Sequence, residues 1–422
     1  MPPPLPMLRA ILPACYLAAS WTWVIGMWLP VYLTRDFGWP GFVVFAVPNV
    51  IGATAVGVAF RPRRGLAAAP AQAFFERHRG AIHWFSFATI CLQLYFCGVL
   101  AREHLTELPG APMGSVSMSM AGVVVLAIIV ACMPIRIALA AAALVIAASI
   151  GCAVGAVLTA DELPAFALPP LRGEATQASF LPLVLTAPAI WLGFLACPHL
   201  DATILRIRRD APDPTGLYAF IMGFFGFFLL MILMTLGYAG RLLQDGTLSP
   251  FIVGHILLQA SFTMGVHARA MVTGSAFRKF NKHVERLGPA RRRIAFALFA
   301  LALMPALGTA ARDMRLPFTR PGYSSVRMLY DSFMALYAIV FPAYLWICTV
   351  PKTPAARSSK RARLTGFGVA CMIALPGLAL GVIGPFDWAI PVGVGAVLVT
   401  PWLLPRGGAH ASTERAEAAQ IA

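Results

Sequence analysis

The sequence predicts an all-α polytopic membrane protein with about twelve transmembrane helices. Three observations carry that prediction. The 422 residues are 59% hydrophobic and only 12% charged, with a mean hydropathy of +0.76, whereas soluble domains carry roughly 25% charged residues. The apolar runs are close to the length that crosses a bilayer as a helix, not the short alternating runs of a barrel. The basic residues fall in alternate loops, as the topology of a helical membrane protein requires. The net charge of +16 therefore points to topology and to anionic lipid rather than to nucleic acid.

The spans follow in order. The first, about 10–33, and the second, 41–60, form an apolar hairpin, and both contain helix breakers: Gly26 and Pro30, then Pro48 and Gly52. Spans three to five cover 81–101, 115–133 and 137–160, the last two divided only by Met133-Pro134-Ile135-Arg136. Span six, 179–199, is interrupted by Pro188, Gly193 and Pro198. Spans seven and eight cover 217–240 and 251–273. The basic loop 274–293 reads as an amphipathic surface helix or as a plain topology signal. Spans nine and ten cover 294–310 and 326–349. The last two, 365–383 and 387–404, are joined by a tight turn at 384–387, and a polar tail follows.

With the N-terminus in the cytoplasm, 25 of the 33 Lys and Arg lie on the cytoplasmic side and eight on the other, which places both termini inside. Only four of the 33 are Lys, an Arg bias that suggests a GC-rich bacterial genome and hence a bacterial cytoplasmic (inner) membrane. Arg312, Arg315, Arg320 and Arg327 are outer basic residues for which lipid head groups or an anionic solute are the available partners. The eight Cys lie in apolar stretches and form no CxxC, so they read as packing residues.

Spans one and six, both interrupted, occupy equivalent places in a 5+5 inverted repeat and enter from opposite faces. The layout resembles the amino acid–polyamine–organocation superfamily of transporters. The opening hairpin is most similar to its neurotransmitter:sodium symporter branch, through Gly26-Met27-Trp28-Leu29-Pro30, Gly38-Trp39-Pro40-Gly41-Phe42 and Pro48-Asn49-Val50-Ile51-Gly52. The GNxWRFP-type motif of that branch is absent, which leaves sodium dependence and amino-acid specificity open. The resemblance implies a core of ten spans over residues 1–350, with repeats at about 10–160 and 179–349. Two peripheral spans over 351–405 and a cytoplasmic tail over 406–422 complete the chain.

The same resemblance implies the site. Trp21, Thr22 and Gly26 near the first break, and Trp191, Gly193 and Phe194 near the sixth, would bind solute, with Gln93 and Tyr95 of span three as walls. Ser20, Ser261 and Thr263 would bind an ion, although Ser261 and Thr263 are two apart and face different sides of span eight. Arg35 and Asp331 would form an outer gate, Arg9 and Asp201 an inner one. Each of these residues also admits a plain packing role. The intramembrane histidines His83, His199, His255 and His267 lack metal-ligand spacing and read as hydrogen-bonded structure or a proton relay.

The chain has no GxxxxGK[ST] or GxGxxG motif, so ATP-driven transport within it is not expected. The leading reading is secondary transport of a small solute by alternating access, driven by sodium or protons, with no cofactor and no enzymatic step. The major facilitator fold shares the span count, but the run RPRRG after span two lacks its Asp-Arg pattern. The rival classes are an intramembrane enzyme on a lipid-linked substrate, with Asp201, His199 or Asp331 as acid or base, and a non-transporting scaffold or sensor.

Overall fold

In the computed structural model the described residues are 6–61, 70–104, 114–159, 167–211, 213–272, 301–314, 324–350, 358–384 and 386–405. The surface helix expected over 274–293 and the tail from 407 lie outside them. Every regular element among the described residues is helical. Nine helices are long and apolar enough to cross a membrane, and one bent pair forms a tenth crossing. Two shorter apolar helices, Leu301–Ala310 and Ala389–Leu403, fall on the remaining two expected spans. The chain is a multi-pass helical membrane protein.

The first span is two helices, α1 (Pro6–Trp21) and α2 (Val24–Phe37), set at 54°. The expected break at Gly26 lies instead at Thr22–Trp23, where Trp23 takes an extended conformation (φ −96°, ψ −177°). Gly26 and Pro30 both sit inside α2. The break stands where other helices supply partners. The Trp21 indole donates to Asn49 Oδ1 at 2.7 Å, and the Val24 N–H donates to Gln93 Oε1 at 3.2 Å. Just before it, Ser20 and Thr22 donate to the carbonyls of Leu17 and Ala18, a local bonding that favours bending.

Gly38 follows α2 with φ +73°, and a Cβ there would lie 2.4 Å from the Leu171 carbonyl oxygen. Only glycine fits both the left-handed backbone and that approach. Helix α3 (Trp39–Ala59) returns, followed by α4 (Pro70–His104), which kinks at His78 and is buried along most of its length. It is the central post of the bundle. Helices α5 (Ser115–Cys132) and α6 (Ile135–Leu158) are apolar all round and largely exposed, as lipid-facing helices are.

The sixth span is also broken. Helix α7 (Leu181–Ala196) runs into a tight turn at Cys197–Leu200, extended Asp201, and then α8 (Ala202–Asp210). This break falls at Pro198 rather than at Gly193. The two broken spans meet: the Thr203 and Ser20 hydroxyls lie 3.1 Å apart, within hydrogen-bond distance.

The seventh span comprises α9 (Thr215–Ile221), a π-helical stretch at Met222–Phe228 and α10 (Leu229–Asp245). Helices α11 (Pro250–Val272) and α12 (Leu301–Ala310) follow. The tenth span begins as α13 (Ser325–Ala335), capped by the Ser324 side chain, and continues through π-helical turns at Leu336–Val340 and Leu345–Thr349 on either side of α14 (Phe341–Tyr344). Helices α15 (Lys360–Val382) and α16 (Ala389–Leu403) form a closing hairpin. Gly377 and Gly393 let its two backbones approach, since a Cβ at either would fall within 3.0 Å of the partner's backbone. The hairpin shares an apolar cluster with α7 and the tenth span, through Ala189, Ile339 and Ala343.

Candidate functional site

A cavity of about 390 Å³ opens from the break in the first span. Its floor is aromatic. Trp21 and Trp23 meet edge to face at 4.6 Å, and Trp23 lies 5.4 Å from Tyr337. Asn49, Phe194 and Cys197 complete the floor. The Asn49 side chain is fixed by the Trp21 indole, while the buried Trp23 indole N–H has no hydrogen-bond partner.

Gly193 sets the width of one wall, because a Cβ there would come within 2.8 Å of the Tyr337 carbonyl oxygen. The Cys197 thiol donates to that same oxygen at 3.2 Å. Tyr337 lies on the π-helical turn Leu336–Val340, and its hydroxyl meets Thr89 of α4 at 3.1 Å. It therefore ties the tenth span to both α4 and α7. The closing hairpin also contributes wall, through Leu378, Gly381 and Ile390.

The cavity mouth is a ring of charge. Arg327 grips Asp36 with both terminal nitrogens, one at 2.8 Å from Oδ1 and the other on Oδ2, and donates through Nε to Asp331 at 3.2 Å. Its guanidinium also stands 4.9 Å over the Tyr32 ring. Glu174 and Asp387 line the same mouth. A bidentate Arg–carboxylate contact of this kind is both strong and geometrically specific.

Several expected site residues lie elsewhere. Trp21, Gly26, Gly193 and Phe194 line the cavity, whereas Thr22, Gln93, Tyr95 and Trp191 do not. Thr22 bonds the preceding turn of α1, and Gln93 caps the start of α2. The Tyr95 hydroxyl donates to the Val326 carbonyl at 2.8 Å. Trp191 is exposed on the outside of α7; helical spacing puts Ile190, Gly193 and Phe194 on one face and leaves Trp191 off it.

The expected ion ligands are all engaged with protein. Ser20 and Ser261 donate to carbonyls of their own helices, while Thr263 reaches across to the Ala19 carbonyl at 3.2 Å. The expected gates are re-partnered. Arg35 contacts Asp36 at 3.4 Å, not Asp331. Asp331 takes Arg327, one turn earlier on its own helix and so on the same face. Arg9 is exposed at the start of α1, whereas Asp201 is fully buried and caps α8. It accepts from the Thr203 and Ile204 amides and faces His267, so it is not paired with Arg9 in this structure.

Sequence reasoning missed Arg327 and Tyr337 as site residues. Arg327 carried a signal, as a basic residue on the side where basic residues are few. Tyr337 carried none, because one aromatic in an apolar span looks like any other. Among the described residues no three His, Cys, Asp or Glu side chains converge as a metal site.

No family model and no curated sequence matches the chain. Among solved structures, the chain is similar to one titled "Inward facing conformation of Mhp1", with 14% identity, a TM-score of 0.46, and coverage of 96% of this chain and 94% of that one.

Proposed function

We propose that the chain is a secondary active transporter of a small solute, working by alternating access and coupled to sodium or protons. The observation that carries this reading is the cavity running from the first-span break to the charged mouth. Broken membrane helices leave backbone groups that can bind solute and ion, and they are tolerated only inside protein or at a cavity. Here both the first and the sixth span are broken, and the breaks touch through Ser20 and Thr203. That pairing favours a core over residues 1–350 with inverted repeats at about 10–160 and 179–349. The location is a bacterial cytoplasmic membrane, with both termini cytoplasmic and the Asp36–Arg327 mouth facing outward.

The floor gives the solute its character. Two Trp, Phe194 and Tyr337 offer flat apolar faces, while the Asn49 amide offers directional polar contacts. A volume of about 390 Å³ falls within the ~300–1,000 Å³ of small-molecule sites. The solute is small, mainly uncharged where it meets the floor, and carries at least one hydrogen-bond acceptor. The test is counterflow in proteoliposomes loaded with a panel of small polar and aromatic compounds. One chemical class should exchange, and Asn49→Leu should slow that exchange about tenfold or more. A solute that binds wild type tightly yet never exchanges would turn the reading to a sensor.

A further inference from the structure

Behind Trp23 two ionisable side chains meet in a fully buried place. Asp201 and His267 both have no exposed side-chain surface, and Asp201 Oδ2 faces His267 Nε2 across 3.6 Å. Neither of these two atoms has a hydrogen-bond partner. Their other polar atoms do. Asp201 Oδ1 accepts from the Thr203 amide at 2.6 Å and the Thr203 hydroxyl at 2.7 Å. His267 Nδ1 meets the Ser86 hydroxyl at 3.1 Å.

A buried acceptor left unpartnered is costly. With Nδ1–H donated to Ser86, Nε2 of the neutral ring is a second acceptor facing the carboxylate; a proton there makes an imidazolium whose charge-assisted bond to Oδ2 is about 2.7–2.9 Å, shorter than the present gap. Proton occupancy would therefore change the spacing of the elements that carry the pair. Those elements tie the site to three neighbouring spans. Asp201 caps α8, and Thr203 ties α8 to Ser20 of α1. His267 belongs to α11, and Ser86 ties it to α4. Trp23 stands between the pair and the cavity, since it lines the cavity and lies 6.0 Å from the His267 ring.

We propose that Asp201 and His267 form a proton-binding switch that couples proton uptake to access to the cavity. This rests on the transport reading and names its coupling ion. The proton comes from water on one side, binds His267 Nε2 and draws α11 toward α8; its release to water on the other side lets them part. On uptake a hydronium O–H bond breaks and the Nε2–H bond forms; on release the N–H bond breaks and the proton returns to water. An imidazole nitrogen and one carboxylate oxygen suit a proton better than sodium, whose affinity is for several oxygens together. Tyr16 on α1 and Tyr337 on the tenth span stand within electrostatic reach of Asp201; beyond them, Arg206, Asp210 and Arg269 surround Tyr16, and Cys91 and Cys197 surround Tyr337. His83, on the same helix as Ser86, packs against Phe75.

The experiment is ¹⁵N-histidine NMR of the full-length protein in lipid bilayers between about pH 5 and 9. The His267 signal is assigned by its loss in His267→Gln. It should titrate in that range, and Asp201→Asn should lower its midpoint by about one pH unit or more. A His267 that keeps one protonation state throughout overturns the proposal on wild type alone, whether or not the variant folds.

The second readout is labelling of Cys197, which lines the cavity, by a small water-soluble maleimide, followed by peptide mass spectrometry. Dividing by the rate in His267→Gln at the same pH removes the reagent's own pH dependence. The ratio should change about threefold or more with the His267 midpoint; a flat ratio overturns the switch. A titrating His267 in a protein that exchanges no solute supports the proton site and removes the transport reading. Solute exchange with a silent His267 does the reverse.

Discussion

Gln93 belongs to α4, yet its side chain serves the backbone of α2. By accepting from the Val24 N–H at 3.2 Å, it supplies the partner that the unwound Thr22–Trp23 linkage takes from the helix. Gln93→Leu keeps the volume and removes the acceptor. A buried N–H left without a partner costs about 1–3 kcal/mol, so the variant should lose about that much stability to denaturant in detergent micelles. An unchanged stability would mean that another group caps the break. Arg327 invites a second test at the same scale. It holds Asp36 and Asp331 together, with its side chain and both carboxylates mostly buried. Asp36→Asn and Arg327→Gln should therefore be non-additive, with a coupling of about 0.5–3 kcal/mol. Arg35→Gln with Asp331→Asn should couple more weakly than that pair, because the two side chains are linked only through Asp36 and Arg327. Neither Gln93 nor Arg327 was legible in its role. A polar residue in an apolar span announces that it has a partner, but the partner is a backbone group 69 positions away, and no periodicity encodes that distance.

At the scale of elements, the sequence was most informative where length and hydropathy decide, and least where a helix changes course. The twelve apolar segments are all helical because each must satisfy its backbone within itself. Both breaks fall in the expected spans: the sixth at Pro198, one of the three interruptions the sequence offers there, and the first just ahead of Gly26. Gly26 was read as the site of unwinding because glycine is a weak helix former, yet it stays helical among Trp21, Phe228 and Ile232. The unwinding goes to the residues that Asn49 and Gln93 can reach. A different lock holds the far end of the sixth span. Asp213 accepts from Arg61 at 2.6 Å and from Arg208 at 2.7 Å, and the Arg208 side chain is fully buried. Burial pushes the Asp213 carboxyl up, but the two guanidiniums outweigh it and hold its pKa below the ordinary 3.8. A folded pKa below the unfolded one means that the stability is fully present above about 3.8 and is lost as pH falls through the lower folded value. Wild type should thus melt above Asp213→Asn at pH 7, and the difference should shrink as the pH falls below 3.8. A difference that stays constant into acid would show that Asp213 acts by shape rather than by charge.

At the scale of the whole molecule, the loop charges make a prediction that the folded chain lets one argue from geometry. The alternating topology assigns each connection to one side of the membrane, and contacts between connections must then join segments of the same side. Arg61 after span two meets Asp213 after span six, and Arg209 meets Gln72 at 3.0 Å; all four belong to connections assigned to the cytoplasm. Ser358 after span ten donates to the Pro405 carbonyl after span twelve, again two cytoplasmic segments. At the other end, the Trp39 amide bonds the Pro170 carbonyl, the Ala167 amide bonds the Gly237 carbonyl, and Arg327 holds Asp36. These come from the first and third of the six outer connections and from span ends beside the fourth and fifth. A count wrong by one span would have set such pairs on opposite faces, some 30 Å apart. What the contacts leave to experiment is which face is cytoplasmic, and there the excess of Lys and Arg supplies the expectation to be tested. Reporter fusions at Arg64 and Lys282 should read as cytoplasmic, and fusions at Glu107 and Asp387 as external. A fusion at Lys282 that reads external would invert the molecule, turn the Asp36–Arg327 mouth toward the cytoplasm, and make the cavity an inward-open one.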